Sequence, residues 1–116
     1  MENAYQWFES LPATLRDKAY LSGVEAAWSR DDAIAIIEWA QGRGLDVLGI
    51  EVWLATNPGP TLPGPYVWEP SAGRGGQPGR VAAAAEQAVD FIRTFQWHVD
   101  DVASHGREPY FNLTFD

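Results

Sequence analysis

The chain has 116 residues, enough for one hydrophobic core and too few for two, and its 46% hydrophobic and 21% charged residues are ordinary globular usage. It carries 16 Asp and Glu against 8 Lys and Arg, a net charge of -8 that repels phosphate backbones and leaves nucleic acid without a cationic stripe to bind. With no cysteine, disulfides, thiolate catalysis and Cys-ligated zinc or iron–sulfur centres are excluded.

Met1 to Ser10 shows no basic-then-apolar run, so no signal peptide is expected. No stretch approaches the length that spans a bilayer. The expectation is a cytoplasmic protein with no membrane partner. Ser10, followed by Leu11 and Pro12, marks the start of a first helix along which Leu15, Ala19 and Leu21 recur at helical spacing up to Gly23. Ser29 is a second N-cap, because Asp31 and Asp32 follow it and place two carboxylates at the positive end of the helix dipole. Ala33, Ile36, Ile37 and Ala40 line one face of this helix, and Gly42 and Gly44 end it, which predicts Arg30 to about Gly42.

From Leu45 to Leu54 the pattern turns to period two, predicting a strand with Leu48, Ile50, Val52 and Leu54 inward and Val47, Gly49, Glu51 and Trp53 on the other face. The Pro- and Gly-rich run Asn57 to Pro65 predicts a loop, and Tyr66 to Glu69 a short return strand. Ser71 to Gly79 is a Gly- and Pro-rich linker. Beyond it, Val81, Ala84, Ala85, Ala88, Phe91, Ile92, Phe95, Val99 and Val102 keep helical spacing, predicting one long helix from Arg80 to His105. Tyr110 to Asp116 reads as a last strand with Phe111, Leu113 and Phe115 on one face. The fold expected is a single α+β domain over residues 1–116, a small and mostly antiparallel sheet of three or more strands packed against helices.

Few residues promise chemistry. On one long helix His98, Asp101 and His105 would share a face, but metal sites draw ligands from more than one element, and a histidine at a helix end is favoured by the dipole alone. Asp31 with Asp32 and Asp100 with Asp101 are adjacent, and helical neighbours do not face each other. The serines lie in no strand–turn–helix elbow. Gly73 to Gly79 precedes a helix but lacks the Lys-Ser/Thr ending of a phosphate loop, and Pro78 removes a donor. A hydrolase pairing Glu51 or Glu69 with His98 has no spacing to support it. The expectation is a chain with no catalytic residue, metal or cofactor.

Aromatic residues are the unusual feature. Six tryptophans, Trp7, Trp28, Trp39, Trp53, Trp68 and Trp97, are more than a core of this size readily encloses, and tryptophan is enriched at binding hot spots. Trp53 shares a strand face with Glu51, and Trp68 lies on the neighbouring strand. A basic protein is the natural partner for so acidic a surface, because long-range attraction raises its association rate. A small-ligand or carbohydrate-binding domain is the alternative, with indoles stacked on sugar rings and Glu51 or Glu69 accepting hydroxyls.

The Ser29 helix, the segment Leu48-Gly49-Ile50-Glu51-Val52-Trp53, the aromatic return Tyr66-Val67-Trp68, the long helix and the closing Tyr110-Phe111-Asn112-Leu113 together resemble the Imm40 family of immunity proteins of bacterial polymorphic toxin systems. The resemblance covers most of the chain. It implies neutralisation of a cognate toxin domain, a basic nuclease being one such partner, with Glu51, Trp53 and Trp68 as contact residues, Glu69 beside them and Asp46 flanking. The acids would stand in for substrate phosphates while a tryptophan anchors the patch.

Overall fold

The computed structural model describes residues 6–22, 25–55, 60–61, 66–70 and 79–115. Two short helices open the described chain, α1 (Gln6–Glu9) and α2 (Ala13–Arg16). The first predicted helix is thus corrected in two respects. It begins after Pro12 as expected but is a single turn that ends at Arg16, and from Tyr20 onward the chain is a strand. The strands β1 (Tyr20–Ser22) and β2 (Glu25–Trp28) pair antiparallel with Ser22 opposite Glu25. Tertiary pairing has overridden the helical spacing of Ala19 and Leu21.

The helix α3 (Arg30–Gly42) follows Ser29 as predicted, and Ala33, Ile36, Ile37 and Ala40 are its buried face. The Ser29 hydroxyl bonds the Asp32 carboxylate at 3.1 Å, while the Ser29 carbonyl accepts the Ala33 N–H. After it come β3 (Val47–Ala55), β4 (Pro60–Thr61), β5 (Val67–Trp68), α4 (Arg80–Thr94), a 3-10 turn at Val102–Ser104, and β6 (Pro109–Phe115). Most of the predicted Asn57–Pro65 loop and of the Ser71–Gly79 linker lies outside the described residues.

The strands form one antiparallel sheet in the order β1-β2-β6-β3-β4, with β5 beside β4 on the same side of β3. β3 and β6 are its centre. Phe111 stands opposite Val52, Leu113 opposite Ile50 and Phe115 opposite Val47. Those six side chains face α3 and α4 and are nearly dry, each of the aliphatic and aromatic groups contributing roughly 1.5–3 kcal/mol of transfer free energy. α4 meets them with Ala84, Ala85, Ala88 and Ile92, and the small alanines let it lie close beside α3. The architecture is α+β, with the helices on one face of the sheet.

The pairing shows why one inward assignment changes. The register slips between Val47 and Gly49, so Leu48 is the extra residue of a bulge. Val47 therefore points into the core and Leu48 lies on the opposite face, the reverse of the strict alternation.

α4 is shorter than predicted. At Phe95 the backbone turns extended, φ -59 and ψ 133, and the segment to His105 is irregular apart from the 3-10 turn. The cause is remote in sequence. Arg30 reaches across from the start of α3, and its Nη1 donates to the carbonyls of Ile92 at 2.6 Å, Phe95 at 3.1 Å and Arg93 at 3.3 Å. These are the carbonyls a helix end leaves without partners, and a cation there also meets the negative end of the dipole. Val99 and Val102, expected inward, are exposed.

His98, Asp101 and His105 accordingly share no helix face. Tyr66 instead gathers this segment: its hydroxyl donates to Asp101 Oδ2 at 2.9 Å and accepts the His98 N–H at 3.2 Å, while His105 Nε2 lies 3.0 Å from the His98 carbonyl. Removal from water raises the Tyr66 pKa, the His98 N–H works against this, and the Asp101 carboxylate adds to the rise. The phenol thus stays protonated and can serve as the donor.

Candidate functional site

The sheet face away from the helices is uncovered over part of its width. There β2, β6, β3 and β5 bring Glu25, Asn112, Glu51 and Val67 together across the strands, and Glu69 continues from β5. They line a shallow groove of about 320 Å³. Its floor is kept open by Gly49, where a Cβ would lie only 3.3 Å from the Trp68 carbonyl oxygen. Asn112, nearly buried, donates from Nδ2 to the Ala26 carbonyl at 2.7 Å, tying the floor to β2.

Each predicted site residue has a definite place. Glu51 is half-buried in the groove and accepts the indole N–H of Trp53 at 3.0 Å, so its carboxylate is held rather than free to swing. Trp53 is on the face expected but is not a contact residue, since it is only 2% exposed. Tyr20 stands edge-on to it at 6.3 Å and packs in turn, tilted, against Tyr110 at 5.2 Å. Glu69 is exposed at the rim.

The other two lie elsewhere. Trp68 stands opposite Ile50 and therefore faces the helix layer, where it is half-buried and stacks on Phe91 of α4 at 6.1 Å. Asp46 approaches Arg80 Nη2 at 3.3 Å as a largely buried ion pair, so it is committed to the start of α4 and does not flank Glu51. The contact is close without good hydrogen-bond geometry, since none of the Arg80 side-chain nitrogens has a hydrogen-bond partner.

None of the six indoles is fully exposed. Trp7, Trp28 and Trp53 are buried, and Trp39, Trp68 and Trp97 are half-buried. The core absorbs more aromatic volume than expected because the rings pack on one another: Trp7 lies 5.8 Å from Trp28 and 4.8 Å from Phe115. The indole N–H of Trp28 bonds the Leu15 carbonyl at 2.9 Å and that of Trp97 the Arg107 carbonyl at 2.8 Å, while Arg43 covers the Trp39 ring.

Glu25 and Asn112 were not among the predicted site residues. Glu25 was hidden because the segment before Ser29 showed no strand signal strong enough to displace a helix, although Tyr20 to Trp28, mostly apolar with Gly23 near its middle, has the spacing of a hairpin. Asn112 was legible only as a member of the polar face of β6.

Chemically the groove offers carboxylates from β2, β3 and the residue after β5, an amide and the apolar side of Val67. Among the described residues no three His, Asp or Glu groups converge as a metal site would require. What it suits is a cationic side chain with an apolar stem, the shape of lysine or arginine. Among the described residues, no helix is long and apolar enough to cross a membrane. No model of a known protein family matches the chain, and no curated protein matches it.

Proposed function

We propose that this chain is an immunity-type inhibitor that binds a basic toxin domain and blocks its active site with the open face of the sheet. The observation that carries the reading is the fixed carboxylate of Glu51, held by Trp53 in a groove flanked by Glu25 and Glu69. A carboxylate already ordered loses little conformational freedom on binding and can stand where a substrate phosphate would. The net charge of -8 gives the attraction its sign. The reading agrees with what the resemblance to the Imm40 proteins implies and is supported by the geometry of the site. It is favoured over sugar binding because the indole beside the groove is buried, so no ring is presented there for a sugar to stack on.

The test is co-expression with the product of the adjacent reading frame, comparing wild type with Glu51→Gln and Glu51→Lys after circular dichroism shows that each is folded. A one-to-one complex and protection of the host are expected from wild type, weaker from Glu51→Gln and absent from Glu51→Lys. A complex indifferent to Glu51→Lys would move the contact off this face. No partner for any form would overturn the inhibitor reading.

A further inference from the structure

β5 is the last strand beside β3 at its end of the sheet, and among the described residues no strand pairs with its outward edge. The Val52 N–H bonds the Tyr66 carbonyl at 3.0 Å, so Tyr66 and Val52 form a hydrogen-bonded pair. Pairing alternates along an antiparallel ladder, and Glu51 opposite Val67 is then the non-bonded pair. The N–H and C=O of Val67 therefore point away from β3, and its side chain is 58% exposed.

A groove lies on each side of this edge. The open-face groove holds Glu25, Glu51 and Glu69. On the helix face a second one, of about 400 Å³, is lined by the stacked rings of Trp68 and Phe91 with Glu69, Asp90 and Thr94. Glu69 belongs to both. In an extended chain successive side chains alternate between faces. A strand added along Val67 would place one cationic side chain among the glutamates and the next against an aromatic wall beside Asp90, an arrangement suited to the flat guanidinium of arginine.

We propose that the outer edge of β5 receives an extended, arginine-bearing segment of the partner as an added strand, its side chains alternating between the two acidic grooves. This rests on the inhibitor reading and names the form in which the partner is held. Main-chain pairing supplies register, and the two grooves select charge.

The probe is a synthetic threonine-rich peptide carrying a pair of adjacent arginines, which an extended strand sends to opposite faces, compared with the same peptide N-methylated at every second residue. N-methylation leaves charge and sequence intact and removes the main-chain donors. Binding to the labelled protein is followed by amide and indole magnetic resonance signals. Shifts at Val67 and at the Trp68 indole are expected, with the methylated peptide about tenfold weaker for the loss of its paired donors.

A second arm uses Val67→Pro. Proline fits an edge strand whose N–H faces outward, so the variant keeps the β3 pairing while losing the docking donor. It should bind the unmodified peptide about tenfold less well. Equal affinity for the two peptides, shifts confined to residues away from β5, or no binding of either peptide would each overturn strand addition. The dependence of the toxin complex on Glu51 is measured separately, so the open-face reading stands or falls on its own result.

Discussion

Trp53 and Glu51 are two residues apart on one strand and on one face, and the hydrogen bond between them turns a mobile carboxylate into an oriented one. The ring gives up little for this, since it is buried and in contact with Tyr20. Trp53→Phe keeps an aromatic body and removes only the indole donor. We expect it to weaken partner binding about fivefold, close to the 1 kcal/mol or so of one such bond, mainly through faster dissociation. In a double-mutant cycle with Glu51→Gln the two losses should be less than additive, because either change releases the same carboxylate. Surface plasmon resonance on the four proteins decides it; additive losses would mean that Trp53 does not act through Glu51. The face shared by these residues was legible from period two. The burial of Trp53 was not, because alternation fixes the side of a strand and is silent about which remote rings, here Tyr20 and Tyr110, cover it. Glu51 and Glu69 could be named from sequence, whereas the pairing of Asp46 with Arg80 was hidden because it depends on where the start of α4 packs, not on where the helix begins.

Among the elements, the end of α4 depends on a residue from another helix. Arg30 donates to three carbonyls at that end and lies 5.9 Å from the centre of the Phe111 ring, so one side chain joins α3, α4 and β6. Arg30→Met keeps the length and apolar stem and leaves the carbonyls without their cation. A destabilisation of about 2–3 kcal/mol is expected, seen as a fall in melting temperature of roughly 10 °C, with Arg30→Lys intermediate because it keeps the charge and loses the fork. Thermal unfolding by circular dichroism tests the ordering; equal stability of the methionine and wild-type proteins would show that water satisfies these carbonyls as well. The same contact explains why the helix looked longer in sequence. Phe95, Val99 and Val102 continue its spacing, and the stop signal lies more than sixty positions upstream in a residue whose own local role is to begin a helix. The bulge at Leu48 is illegible for a related reason: it is a property of β3 and β6 paired, and neither strand shows it alone. By contrast α3, β3 and β6 were read nearly to the residue, since each carries a complete amphipathic period and its own boundary residues.

For the whole molecule the separation of tasks between the two sheet faces has an electrostatic consequence. The helix face holds the large apolar core, and the open face carries Glu25, Glu51 and Glu69 with no basic residue among the groove's lining. On the proposed reading, a net charge of -8 would draw a basic partner from a distance, and the groove would set the contact once it arrives. The two stages respond differently to salt. Raising ionic strength from about 0.01 M to about 1 M shrinks the screening length from about 30 Å to about 3 Å, which removes the long-range attraction while contacts already made in the groove are screened far less. The association rate constant for the toxin complex should fall by about tenfold or more over this range, and the dissociation rate constant should change by no more than about threefold. Stopped-flow measurement of both constants tests this. Glu25→Gln should lower the association rate most clearly at low salt, because it removes one charge from the approach without disturbing the Trp53–Glu51 pair. If association proves insensitive to salt while dissociation accelerates, the acids act only after contact, and the charge of the chain has no part in finding the partner.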